Sequence, residues 1–417
     1  MSLHRLAGAS AIGLMALAPI GGVYVRHWIS AVFVLLVILM FFNARHWLRN
    51  LQGDAATRLI LFFSIAFFLS YLLSAALNGW DSGGTRMLER ELRLLMLAPM
   101  AVFLAAVPSR QALGIGCLAA LLITGALVGY ENLVINRGRD LGIYGPLFTG
   151  PACILFLVGS LGYTLTLPSV RWRYTSIVVS FTMAAFVASV TSRSAILGFA
   201  VVVVGVAFSN ASHRRFLLSI GGACILSIVG FQLLAEGSTG LSFTLGIREF
   251  QSYLAHELSN AAGFNPIGAT SVGARLEMMK ASTFIFLDSP LFGIGPRNFI
   301  PAVTALKEAS IIHPEMPTYH PHNMFLEALV SKGLLGISLL LGLLWACARA
   351  LLLCTSSARN LGFILLATAI SMMLTESALL IKNNFASLFV LLLAAMLSDR
   401  PTFKDGQRSI SGYATTP

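Results

Sequence analysis

The apolar positions of this chain come in long uniform runs, not in alternation with polar ones. Twelve such runs lie at about 6–24, 28–43, 59–77, 92–107, 112–130, 147–167, 174–191, 195–209, 216–235, 323–348, 361–378 and 385–398. A membrane β-barrel would alternate polar and apolar residues over about ten positions per strand, so these runs predict helices. Most have the length needed to cross a bilayer core of roughly 30 Å, and the shorter ones need tilt or extension at their ends. One polar interval breaks the economy of the others, the stretch 236–322. A connection that long carries its own structure or a function. Within it, Ile247 to Leu258 (IREFQSYLAHEL) has the pattern of an amphipathic helix lying on a membrane surface. Residues 273–288 predict a second helix, ended by Ser289-Pro290, and Gly293, Gly295 and Pro296 then predict a turn. The expected fold is an all-α polytopic membrane protein of about twelve transmembrane helices, with a large helix-containing loop between spans nine and ten. Residues 1–235 hold spans one to nine, 236–322 the loop, 323–398 spans ten to twelve, and 399–417 a polar tail read as disordered.

Composition agrees. Hydrophobic residues make up 57% of the 417 and charged residues only 11%, against about 25% charged in ordinary soluble domains. Mean hydropathy is +0.81. Such a chain cannot cover a soluble surface, and it is too apolar for disorder. The charge then sets orientation. With the N-terminus inside, the inside segments hold 14 of the 28 basic residues and three of the 17 acidic ones, so the whole net charge of +11 falls on one face. That is the positive-inside pattern. It explains the basic balance through the acidic headgroups of the inner leaflet, without nucleic acid. Arg5 ahead of the first run resembles a signal peptide, but an uncleaved anchor is expected, because its removal would put the two ends on opposite sides. The five cysteines lie in or beside apolar runs with no CxxC pair, as small hydrophobes do.

The middles of the spans look almost bare of charge, which gives little support to an ion-coupled transporter. No GxxxxGK[ST] phosphate loop is present. Three polar groups stand out, all on the outer face in this topology. Thr191-Ser192-Arg193-Ser194 joins spans seven and eight with almost no loop, and its bland reading is a snorkelling arginine. Gly273-Ala274-Arg275-Leu276-Glu277 opens the second loop helix, with a solvated helix charge as the bland reading. His320-Pro321-His322-Asn323 precedes span ten, and histidine is the natural general base near neutrality. His313, His320 and His322 with Glu315 form a conceivable metal set, but the stretch lacks an HExxH-like ligand pattern. Arg86, Arg90 and Arg93, interleaved with Glu89 and Glu91, read as a self-neutralised surface helix.

Together and in this order, TSRSAILGF (191–199), GARLEMMKAS with SPLFGIGPRNF (273–299) and HPHNMFLEALVSKGLLG (320–336) resemble the O-antigen ligase family. Its members share a domain with O-antigen polymerases and protein O-oligosaccharyltransferases. The resemblance covers the second half of the chain. It implies a glycosyltransferase of the bacterial inner membrane, multi-pass, with both ends cytoplasmic and the active site periplasmic. The donor would be a glycan on undecaprenyl diphosphate and the acceptor a sugar hydroxyl of lipid A-core; polymerization of lipid-linked repeat units, or transfer to protein, are the alternatives, and a glycolipid flippase is the rival of a different class. Arg193 and Arg275 would hold the diphosphate and stabilise the leaving group, since guanidinium offers phosphate a charged planar fork. His322 would be the base, with the division of labour between His320 and His322 open. His320, Asn323, Arg297, Arg137 and Arg139 are the further candidate substrate contacts. No metal and no cofactor is implied, because an activated donor supplies the energy. Membrane lipids are the remaining expected partner.

Overall fold

A computed structural model describes residues 3–25, 27–42, 48, 54–79, 82–133, 146–209, 214–234, 243–259, 264–296, 298–316, 320–376 and 383–400. The described residues are helical, with no strand among them. In chain order the helices are α1 Leu3–Tyr24, α2 Trp28–Phe42, α3 Ala55–Asn78, α4 Ser82–Leu95, α5 Leu97–Leu104, α6 Ser109–Leu133, α7 Pro146–Thr164, α8 Val170–Thr191, α9 Arg193–Ser209, α10 Arg214–Leu234, α11 Phe243–Leu258, α12 Ser271–Asp288, α13 Phe299–Glu308, α14 Met324–Leu351, α15 Ser356–Thr375 and α16 Asn383–Leu397. Six of them, α1, α3, α6, α8, α14 and α15, are long and apolar enough to cross a membrane by length and composition, and α2, α7, α9 and α16 are shorter apolar helices. The loop helices fall where the pattern predicts, at α11 and α12. The short α13 was not expected; only one turn of its apolar face, around Phe299 and Val303, is buried.

Position in the bundle follows from the residues. Helix α16 is buried from Phe385 to Leu397 on every face, and so is α7 from Gly150 to Leu161. Helices apolar all round belong at the centre of a bundle. Around them pack the pairs α1 with α6, α6 with α7, α3 with α14, α9 with α15 and α16 with α5. At one end, Arg400 is buried and pairs with Asp54, while its Nη2 donates to Thr57 at 2.9 Å. Beside it Arg110 pairs with Asp399 at 3.0 Å, and Thr355 donates to the same carboxylate at 2.7 Å. Arg400 is therefore tied into the bundle, not offered to headgroups.

Two expectations about charge are corrected here. Helix α4 is not a surface helix: Glu91 is 4% and Arg93 7% exposed, with the Arg93 guanidinium donating to Ser387 and to the Glu89 carbonyl. Nor is the span holding α14 bare. Lys332 pairs with Glu91 at 2.6 Å and lies 3.4 Å from the centre of the Phe67 ring, with buried Glu327 on the same helix.

Helix α14 is broken at Gly333, whose φ of 66° and ψ of −160° interrupt the helical ladder. The freed backbone groups are satisfied by the Gly-x-Gly-Pro turn. Ile294 and Gly295 N–H groups donate to the carbonyls of Val330 and Ser331, and Leu334 and Leu335 N–H groups donate to those of Pro290 and Leu291. Non-helical backbone at such depth is tolerated only when other protein groups satisfy it. A Cβ at Gly333 would stand 2.3 Å from the Leu291 carbonyl, and one at Gly293 2.4 Å from the Val330 carbonyl. The two glycines, both at positive φ, make the splice possible.

Candidate functional site

Three separate elements bring their polar side chains to one place. The first is the junction of α8 and α9. Helix α8 ends at Thr191, Ser192 is extended at φ −148°, and Arg193 begins α9. The Ser192 hydroxyl accepts from the Ala195 N–H at 3.3 Å, in the manner of an N-cap. Gly150 of α7 makes room for this turn, since a Cβ there would lie 2.3 Å from the Thr191 hydroxyl. The half-buried Arg193 guanidinium lies against α11, where a Cβ on Gly246 would be 2.9 Å from its Nη1.

Helix α12 is the second element. Thr270 caps it by accepting from the Gly273 N–H at 3.2 Å, and Gly273 packs so tightly that a Cβ would meet the Ile267 carbonyl at 1.8 Å. This places Arg275 in the first turn. Burial lowers its pKa, Glu376 opposes that shift, and Arg193 adds to it. Arg275 thus stands in the fields of both Arg193 and Glu376, and a guanidinium in such a place stays charged. Its neighbour Glu277 is buried, accepts from the Tyr253 hydroxyl at 2.8 Å and from the His313 N–H at 3.1 Å, and so holds the loop together. The Tyr253 hydroxyl is pushed well above its ordinary range, by burial first and then by that carboxylate.

The third element is the entry to α14. The Asn323 carbonyl oxygen caps the helix, accepting from the N–H groups of Phe325 and Leu326, and its amide donates to the Leu374 carbonyl. Both ends of that side chain are occupied by backbone. His322 takes a left-handed φ of 50°, uncommon for a residue other than glycine. Its ring lies 4.1 Å from the His320 ring, centre to centre. His322 Nδ1 is 3.1 Å from Glu376 Oε2, and His320 Nε2 is 3.5 Å from Glu376 Oε1. Glu376 follows the last residue of α15 as its C-cap. Burial raises its pKa, but the hydrogen bond and charge of His322, the charge of His320 and Arg275 together outweigh it, and the net shift is downward.

The protons follow from these contacts. The His322 N–H donates to His320 Nδ1 at 3.2 Å, so the neutral His320 ring carries its proton on Nε2, toward Glu376. An ionised carboxylate only accepts, so His322 carries its proton on Nδ1. When that ring is neutral its lone pair is on Nε2, which makes no hydrogen bond among the described residues. The donor atoms of His320, His322 and Glu376 lie within 4.8 Å of one another, close enough to consider a metal. A metal on His320 Nε2 would require a proton on Nδ1, against the His322 N–H.

His313, considered above with Glu315 as a metal ligand, is held elsewhere by Glu277, by the Glu315 N–H and by the Phe264 ring. Arg297, Arg137 and Arg139 lie outside the described residues, as does the side chain of Arg86. Glu376 is the site residue that sequence reasoning missed. It is the acidic residue next to the end of a span, but 54 positions separate it from His322, and only the packing of α14 against α15 joins them.

The comparisons with known proteins point the same way. Residues 178–341 match the family model described as O-Antigen ligase. This stretch includes Arg193, Arg275, His320 and His322; Glu376 lies beyond it. That stretch is therefore similar to a domain shared by ligases, polymerases and related enzymes. The chain is also similar to an uncharacterized protein of Haemophilus influenzae, 23% identical over 297 residues, which cover 69% of this chain and 71% of the relative.

Proposed function

We propose that this protein is an O-antigen ligase, transferring a glycan from undecaprenyl diphosphate to a sugar hydroxyl of lipid A-core on the periplasmic side of the bacterial inner membrane. The observation that carries the reading is the convergence of an oriented imidazole, His322, with two arginines from different elements, Arg193 and Arg275. The arginines hold the diphosphate. The acceptor hydroxyl gives its proton to His322 Nε2 while its oxygen attacks the anomeric carbon from the face opposite the diphosphate. The new glycosidic bond forms as the bond from that carbon to the phosphate oxygen breaks. The electron pair leaves on undecaprenyl diphosphate, whose charge the two guanidinium groups stabilise where it develops. One displacement inverts the carbon and needs no enzyme nucleophile and no metal. His320 Nδ1 accepts from the backbone N–H of His322 and its Nε2 faces Glu376, which supports His322 over His320 as the base. Support for the lipid tail comes from a 490 Å³ groove between α8 and α10, lined by Val178, Ala185, Phe186, Ala223 and Ile228 among others. Its outer end, Ser189, lies four residues before Arg193.

Deleting the gene and comparing lipopolysaccharide with carrier-linked glycan tests the reading. Long glycan accumulating on undecaprenyl diphosphate, beside bare lipid A-core, is expected. Single repeat units on the carrier, with core capped by at most one unit, would make the protein a polymerase. Unchanged glycans on both lipids, with glycoprotein lost, would make it a protein O-oligosaccharyltransferase.

A further inference from the structure

We propose that α11 is docked in the outer leaflet of the membrane and, through Gly246, holds Arg193 at the lipid–water boundary where a lipid-linked diphosphate arrives. The docking rests on the structure and its side of the membrane on the charge distribution of the sequence; the consequence for the donor rests on the reading above.

Helix α11 divides its surface in three. At 100° per residue, Gly246, Glu249, Tyr253 and His256 fall within an arc of about 80°, and this arc faces protein. Gly246 meets Arg193, Glu249 accepts from the Val272 N–H, and buried Tyr253 donates to Glu277. A second arc of about 80° holds Phe250, Leu254, Ile247 and Leu258, which are 44, 39, 53 and 80% exposed. The third arc, of about 100°, holds Gln251, Ala255, Arg248 and Ser252, all exposed and three of them polar. Glu257, at the border of the first two arcs, turns to protein through Lys280 and Asn265, and Leu245 breaks the pattern, exposed in the first turn outside the apolar arc. A helix facing protein on one side needs two arcs to face water. Here one is water-like and the other oil-like, as at the edge of a bilayer. Depth agrees. Arg193 stands at the outer end of α8, a helix long and apolar enough to cross a membrane, and Gly246 rests on its guanidinium. The first turn of α11 is therefore level with the membrane rim, and the apolar arc meets acyl chains, not water.

The occupant of that arc is testable without any enzymatic assay. Phe250→Cys, Leu258→Cys and Ser252→Cys are spin-labelled in the full-length protein, in vesicles of phosphatidylethanolamine and phosphatidylglycerol; the native cysteines described are buried. Labels at 250 and 258 should collide with oxygen and be shielded from a water-soluble nickel chelate, with the reverse at 252. Chelate access at 250 and 258 would put the arc in water. Shielding from both reagents would put it against protein, such as a second copy. Either result overturns the docking. The link to Arg193 is read from the pair Leu254→Glu with Leu258→Glu. It should raise KM for a polyprenyl-diphosphate glycan about tenfold or more, equal to 1.4 kcal/mol, with kcat kept. Unchanged KM with lipid-facing labels would overturn that link. Wild-type protein that transfers nothing from any such donor would sink the donor reading, while the accessibility result stands.

Discussion

Helix α14 carries two charged clusters within eleven residues, and they are built on opposite plans. His322, just ahead of the helix, shares Glu376 with His320 at a rim where the imidazole side chains are 16 and 21% exposed. Lys332, three turns further in, pairs with Glu91 and both side chains are at most 3% exposed. The inner cluster is closed. The cation is covered by Glu91 and the rings of Phe67 and Tyr71, while Oε2 of Glu91 and of Glu327 find no hydrogen-bond partner among the described residues. In the rim cluster, Nε2 of His322 makes no hydrogen bond among the described residues. The difference teaches that ionisable groups inside a membrane protein mark chemistry only where one of them keeps an unused site within reach of a substrate. A fully enclosed pair instead fixes which helices sit together.

That contrast can be broken by substitution. The largest effect is expected at the rim: His322→Ala should lower kcat for transfer by about 10²- to 10⁴-fold while donor binding persists and the protein stays folded. Full activity in that variant would remove the base from the proposal. Lys332→Met should do the converse. It leaves Glu91 buried and unpaired, at a cost of about 3–5 kcal/mol seen as a lower Tm. The double variant Glu91→Leu with Lys332→Met should recover most of that loss; failure to recover would mean the inner cluster has a role beyond pairing. Glu376→Gln removes the charge that orients His322 and should reduce kcat about 10²-fold with little change in KM. Equal loss in both parameters would assign Glu376 to substrate binding. Arg275→Ala should raise donor KM about tenfold or more, from loss of a charged hydrogen bond worth about 1.5–3 kcal/mol.

The smallest effect concerns pH. The carboxyl of Glu376 is held below its ordinary value of 4.5, so the folded state favours its ionised form. Its contribution to stability is full above about 4.5 and is lost as pH falls through the lower folded value. Thermal unfolding of the wild type should therefore show a component that weakens in acid below pH 4.5 and is missing from Glu376→Gln. A wild-type profile identical to that of the variant would contradict the pairing.

Most of the elements were legible because a helix in lipid needs only a long apolar run. Helix α16, buried on every side, and α2, apolar at every position but Ser30, follow from that rule. Capping chemistry was also local: Thr270 starts α12 and Asn323 starts α14, each with its side chain on the next turn. What misled was charge. Glu91 and Arg93 look like surface residues beside Glu89 and Arg90, because local pattern does not say which face of a helix another helix will cover. The capping role of Asn323 adds to its place beside His322, since its amide binds backbone at both ends.

The sequence by itself pointed to a membrane protein, to its helical architecture and to Arg193, Arg275 and His322 as candidates. Each of these is written in contiguous residues, through hydropathy, turn-forming pairs or short motifs. Only the tertiary structure decided that Glu376 meets both His320 and His322, that Lys332 is paired with Glu91, and that the Gly-x-Gly-Pro turn splices the broken helix at Gly333. Those outcomes depend on groups tens to hundreds of residues apart. Hydrogen bonds and ion pairs act only over a few ångströms, so the packing of the helices determines which distant residues come within their reach.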